Sequence, residues 1–107
     1  MDDTRRELSA FFDSRYPRHD RRISQAVELP GGWVLAESFE RVRDNRGGAY
    51  TRYYATQVHM EVLRGERRAN TTNHRERDFR TSPEARQTIA RWYNQLRRAA
   101  TEDGEHL

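Results

Sequence analysis

Residues 23–63 read ISQAVELPGGWVLAESFERVRDNRGGAYTRYYATQVHMEVL, three alternating runs parted by two glycine-bearing breaks. The first run, Ile23 to Leu29, ends in Pro30-Gly31-Gly32. The second, Trp33 to Arg43, is followed by Asn45-Arg46-Gly47-Gly48, and the third spans Tyr50 to Leu63. Period-two alternation is the mark of a half-buried strand. Gly and Asn accept the positive φ that tight hairpin turns require, so the stretch predicts a three-stranded antiparallel meander.

A register follows from the turn centres. With the first hairpin centred on Gly31, Leu29 faces Trp33, Val27 faces Leu35 and Ile23 faces Phe39. With the second centred between Arg46 and Gly47, Trp33 faces Met60, Leu35 faces Val58 and Phe39 faces Tyr54. One face is then apolar in every row except Gln25, Glu37 and Thr56. The other face holds small or semi-polar residues, including Ala36, Ser38, Tyr53, Ala55 and His59. A one-residue slip would exchange the two sets.

Outside the meander, Thr4 and Glu7 have capping-box spacing and Leu8, Phe11 and Phe12 follow at helical intervals. That predicts a helix over about 4–15, stopped before Pro17. Ser82 as N-cap, Pro83 at the first helical position and Glu84 in the first turn open a second helix. Its stripe is Ala85, Ile89, Trp92, Tyr93, Leu96, Ala99 and Ala100, and it runs to about residue 101. Residues 67–74 read as a fourth, edge strand, the alternative being a mobile loop over 64–80. The expected fold class is α+β: N-terminal helix, three- or four-stranded antiparallel meander, C-terminal helix, with both helices on the sheet face carrying Trp33 and Val58. Residues 1–107 form one domain in this reading, with 1–3 and 102–107 frayed.

Composition narrows the function classes. Only 34% of the 107 residues are hydrophobic, and Leu, Ile, Val and Phe together number 17, so the core is thin and association is expected to help it. There is no cysteine, which removes disulfides and thiolate metal sites. No apolar run is long enough to span a bilayer and no secretion signal is visible, so a cytoplasmic location without membrane contact is expected. All 20 basic residues are Arg. GC-rich coding is the first explanation of this, and selection for forked contacts to phosphate or carboxylate is the second. Net charge is only +3, yet it clusters: Arg15, Arg18, Arg21 and Arg22 lie in one connection, and Arg64, Arg67, Arg68, Arg75, Arg77 and Arg80 in one segment.

Those arginines, with Asn70, Thr71, Thr72, Asn73 and His74, suit phosphates and base edges, although Glu66, Glu76 and Asp78 are interleaved. The row Gln25, Glu37, Thr56 is expected to be a buried polar site in which an Arg from a helix satisfies Glu37. His59 with Glu61 has acid–base chemistry but no nucleophile or oxyanion cradle nearby. His19, His59, His74 and His106 lack zinc spacings, and no cofactor or metal is expected. The order helix, three strands, helix resembles that of double-stranded-RNA-binding domains. A cystatin-like helix on a meander fits as well, and the second helix opens Ser82-Pro83-Glu84-Ala85-Arg86-Gln87 where the first family has a lysine-rich cluster, so no residue is carried over.

Three functions stay open. The leading one is a non-enzymatic nucleic-acid-binding module using Arg15, Arg18, Arg21, Arg22, Arg64, Arg67, Arg68, Arg75 and Arg77 on the phosphate backbone. The second is a protein-interaction or inhibitor module that forms a homodimer or docks another protein through an open sheet face of Ala36, Ser38, Tyr53, Ala55 and His59. The third is a small metal-independent nuclease acting through Glu37 or His59.

Overall fold

The computed structural model describes residues 2–105, apart from the side chains of residues 2, 71–73 and 102–105. The elements are α1 (Asp2–Arg15), β1 (Arg22–Glu28), β2 (Trp33–Arg43), β3 (Ala49–Leu63), β4 (Glu66–Phe79) and α2 (Ser82–Glu105). The four strands form one antiparallel sheet in the order β1-β2-β3-β4. The α+β order predicted from the sequence is present, and the Arg-rich segment is the fourth strand. Both helices extend beyond expectation, to Asp2 and Glu105; residues 1, 106 and 107 lie outside the described residues.

The helices do not share a face. Leu8, Phe11 and Phe12 of α1 pack on Ala26, Val34, Ala36, Val58 and Met60. Ile89 and Trp92 of α2 pack on Leu29, Leu35 and Ala55, with Trp33, Phe79, Tyr93 and Leu96 at the margin. Val34 and Leu35 are neighbours on β2, so their side chains point to opposite sides. The molecule is therefore helix, sheet, helix. Each Leu, Ile, Val, Phe or Met side chain in these clusters contributes about 1.5–3 kcal/mol on full burial.

The cause is a one-residue register difference. β1 and β2 pair as expected, Val27 with Leu35, up to a bulge between Ile23 and Gln25 that moves Ile23 opposite Ser38. β2 and β3, however, place Leu35 against Gln57, Val34 against Val58 and Phe39 against Tyr53. The turn explains the shift. Asp44 Oδ1 accepts from the backbone N–H groups of Arg46 and Gly48 at 2.9 and 2.8 Å, and Gly47 sits at φ 83°. Asp at the first turn position, with a glycine in the left-handed region three residues on, makes a three-residue loop centred on Arg46. Half the residues assigned to one face therefore belong to the other.

β3 and β4 meet at Arg64-Gly65, with φ of 54° and 81°, a two-residue turn that matches strand twist. Their ladder is interrupted once. Val58 pairs with His74 but Met60 pairs with Ala69, so residues 70–73 lie opposite His59 alone. Before the interruption the odd-numbered residues of β4 share the α1 side with Met60 and Val62. After it, the even-numbered residues do, and Arg75 and Arg77 turn to the α2 side.

The helix starts also differ in detail. Thr4 lies inside α1, buried, and donates its hydroxyl to the Glu28 carboxylate. At α2, Thr81 precedes the first helical residue, its carbonyl accepts from the Ala85 N–H at 3.4 Å and its hydroxyl donates to Glu84 at 2.8 Å, so Thr81 stands at the cap position. Ser82 Oγ instead donates to Glu37.

Candidate nucleic-acid interface

Six of the nine candidate arginines are exposed without a strong internal partner, Arg21 and Arg67 are engaged inside the fold, and Arg68 is exposed in a surface pair. Arg21 is buried: Nη2 donates to Glu76 Oε1 at 2.5 Å and to Ser38 Oγ at 3.2 Å. Its guanidinium carbon lies 3.7 Å from the Tyr54 ring centroid, 4.4 Å from Phe12 and 4.8 Å from Tyr16. It is a core residue, not part of an exposed connection. Arg67 bonds Glu28 at 2.6 Å and approaches Glu7 at 3.5 Å, tying the β3–β4 tip to α1. Arg68 pairs with Glu66 at 2.6 Å. Beside them a groove of about 840 Å³ runs between α1 and the tip, over Ala10, Phe11 and Ala69, and its flanking cations are spent on these pairs and on Arg6–Asp3.

The remaining arginines gather on the outer margin of β4. In the run Arg75-Glu76-Arg77-Asp78 the pleat separates the charges. Glu76 and Asp78 stand on the α1 side, where Glu76 accepts from Arg21, Tyr16 and Thr56, and Asp78 pairs with Arg52 at 2.8 Å. Arg75 and Arg77 stand on the α2 side, exposed and without an ion pair among the described residues. Acids that looked interleaved along the chain thus do not blunt the cationic side.

Each of these cations rests on an aromatic ring. Arg75 lies 5.5 Å from the Trp92 centroid, Arg77 5.9 Å from Phe79 and Arg80 5.6 Å from Tyr50. Such stacking is worth about 0.5–1 kcal/mol at an exposed site and holds the fork outward. Arg15 is exposed at the end of α1. The Tyr16 hydroxyl donates to Glu76 Oε2 at 2.8 Å, which anchors the end of α1 to the face of β4 opposite Arg75 and Arg77. Arg18 and Arg22 are exposed in the following turn, Arg22 at 3.8 Å from Asp20, and Arg64 is exposed at the hairpin tip.

The other candidate groups sort as follows. Glu37 is buried and fully satisfied by Ser24 Oγ at 2.5 Å, Ser82 Oγ at 3.2 Å and Arg86 Nε at 3.0 Å. The expected helix Arg is Arg86. Gln25 pairs beside Glu37, but Thr56 is on the opposite face and bonds Glu76, so the three do not form one row. His59 Nε2 lies 2.7 Å from the Gly31 carbonyl and its ring meets Trp33 edge-on, while Glu61 accepts from Asn70. His59 and Glu61 are therefore not a pair. The expected open face does not exist: Ala36 and Ser38 are buried under α1 and Ala55 under α2, leaving Tyr53 and His59 half-buried.

Sequence reading missed a polar network beneath the 16–21 connection. His19 Nδ1 lies 2.8 Å from Glu40 Oε2 and 2.9 Å from Oε1, and Tyr54 donates its hydroxyl to Oε1. Burial alone would raise the Glu40 carboxyl; the hydrogen bonds from Tyr54 and His19, with the nearby His19 and Arg21 charges, hold it below the usual carboxylate range. Burial, then the bond to Glu40 and its charge, pushes the Tyr54 phenol far above its ordinary value. Tyr16 is raised for the same reasons, with Glu76 as its acceptor.

No group of His, Asp or Glu suited to a metal ion occurs among the described residues, and none of their helices is long and apolar enough to cross a membrane. The chain matches no family model, no curated protein and no solved structure.

Proposed function

We propose that the chain binds the sugar–phosphate backbone of single-stranded nucleic acid along the β4 margin, through Arg15, Arg75, Arg77 and Arg80. The observation that carries this reading is the segregation within 75–78. Every acid there is turned inward or paired, and every arginine is turned outward over a ring. Guanidinium forks pre-oriented by stacking lose little freedom on meeting a phosphate. Half-buried rings such as Phe79 and Tyr50 give unstacked bases a surface beside those forks.

The test is fluorescence anisotropy of a labelled 2′-O-methyl oligonucleotide against salt. About three or four phosphate contacts give log K a slope of roughly −2 to −3 against log salt, from about −0.7 per contact on a single strand. Replacing Arg75 and Arg77 by Ser reduces the slope by about 1.4. Its urea midpoint stays close to that of the parent, because neither side chain is buried. Salt-independent binding, or affinity unchanged in the double variant, refutes the reading.

A further inference from the structure

We propose that His19 is the general base of a metal-independent ribonuclease site, oriented by Glu40. The inference rests on the nucleic-acid reading above and adds a substrate class, RNA, and a reaction. His19 lies in the turn that begins one residue beyond Arg15, and its backbone N–H closes on the Tyr16 carbonyl at 3.0 Å. Its side chain is 47% exposed, while the Glu40 side chain beneath it is 5% exposed. A carboxylate can only accept, so Nδ1 carries the hydrogen that Glu40 receives. In the neutral ring the lone pair is then on Nε2, the nitrogen turned away from Glu40. A third group holds the orienting carboxylate: Tyr54 donates to Glu40 from within the core. Base, orienter and support thus stand in the order that acid–base sites use.

The rest of the network argues the same way. Arg21, Glu40 and Glu76 are charged groups inside a small core, an arrangement that adds little to stability compared with apolar packing. Its effect is to fix the turn that displays His19. Arg18 and Arg22 lie one and three residues from His19 in sequence and are exposed, so they are the cations available to a phosphate at this turn; Asp20, exposed, is 3.8 Å from Arg22.

In the step proposed, Nε2 takes the proton of an RNA 2′-hydroxyl and O2′ attacks the adjacent phosphorus. A P–O2′ bond forms, the P–O5′ bond breaks, and O5′ takes a proton from water. The hydroxide left behind is neutralised by the proton held on His19. The products are a 2′,3′-cyclic phosphate and a 5′-hydroxyl, with no oxidant or cofactor consumed. Arg18 and Arg22 offset the charge that grows on the phosphoryl oxygens. His19 is the catalytic residue, and Glu40 is a positioning residue.

The experiment incubates the protein with a labelled RNA and, in parallel, with the 2′-O-methyl oligonucleotide of the same sequence. The expected result is RNA cut to cyclic-phosphate ends while the methylated strand is bound but intact. His19→Gln slows cutting by about 100-fold or more, the range of a lost general base, and binds the methylated strand as before. Glu40→Gln lowers kcat with KM unchanged and Glu40→Asp restores part of it. Tyr54→Phe, which removes only the hydroxyl supporting Glu40, also lowers kcat and serves if Glu40→Gln does not fold. Intact RNA beside a bound methylated strand, or cutting that survives His19→Gln, overturns the catalytic assignment alone. Absence of both binding and cutting overturns the binding reading with it.

Discussion

At the scale of single residues the structure is governed by where each charge finds its partner. Glu40 titrates lower in the folded chain than its ordinary value of 4.5, so its contribution is present above that value and lost as pH falls through the lowered one. Glu28 behaves alike, through the hydrogen bonds from Thr4 and Arg67. Tyr54 titrates higher than its ordinary value of 10.0, so its contribution is present below pH 10 and lost as pH rises beyond it. Urea midpoints measured from about pH 3 to about pH 11 are therefore expected to plateau and to fall at both ends. Tyr54→Phe flattens the alkaline fall. A midpoint still constant well above pH 10 in the parent chain contradicts the buried Tyr54–Glu40 bond. Little of this was legible beforehand. The pairing of Glu37 with a helix Arg could be anticipated from its place among apolar neighbours. His19 and Glu40 are separated by a loop and a strand, and only the fold brings them together.

At the scale of elements, β4 shows how a strand sorts charge. The strand itself could be read from the sequence, and so could the amphipathic stripe of α2. The side on which each Arg would stand could not, because it depends on the parity of the pairing. Exchanging Arg75 and Glu76 keeps composition and net charge constant but puts a guanidinium beside Arg21. Breaking a buried pair costs about 3–5 kcal/mol. Exchanging Glu66 and Arg68, which are both exposed on one side, stays within about 0.5 kcal/mol. Chemical denaturation of the two exchanged chains distinguishes them, and equal stabilities would mean that Glu76 is not the partner of Arg21. The error in the β2–β3 register has the same root. Val34, Ala36 and Leu35 are all apolar, so alternation alone does not choose between the faces of β2. Asp44 chooses, through the turn it closes.

At the scale of the whole molecule, a thin hydrophobic content is divided between two clusters on either side of the sheet. The sheet is both partition and shared wall. Leu8→Ala, on one side, costs about 2–5 kcal/mol, and Ile89→Val, on the other, about 0.5–1.5 kcal/mol. They share no partners, so the double variant is expected to equal their sum within about 0.5 kcal/mol. A larger departure in the urea midpoints would show that the two clusters communicate through β2. The low apolar fraction that suggested a need for association reads differently here: neither sheet face is left bare, and the small residues Ala36 and Ala55 let two helices approach one sheet.

The break opposite His59 has a consequence that reaches beyond local geometry. An unbroken pleat would send Arg67, Arg75 and Arg77, all odd-numbered, to the same side. The offset at residues 70–73 reverses the phase, so one continuous strand clasps α1 with its first arginine and shows its later ones to solvent. Adding or deleting one residue in that spacer, with the size of the offset unchanged, would slip the downstream pairing by one and transpose the inner and outer sets. The length of this short insert is thus as constraining as the identity of any side chain it carries.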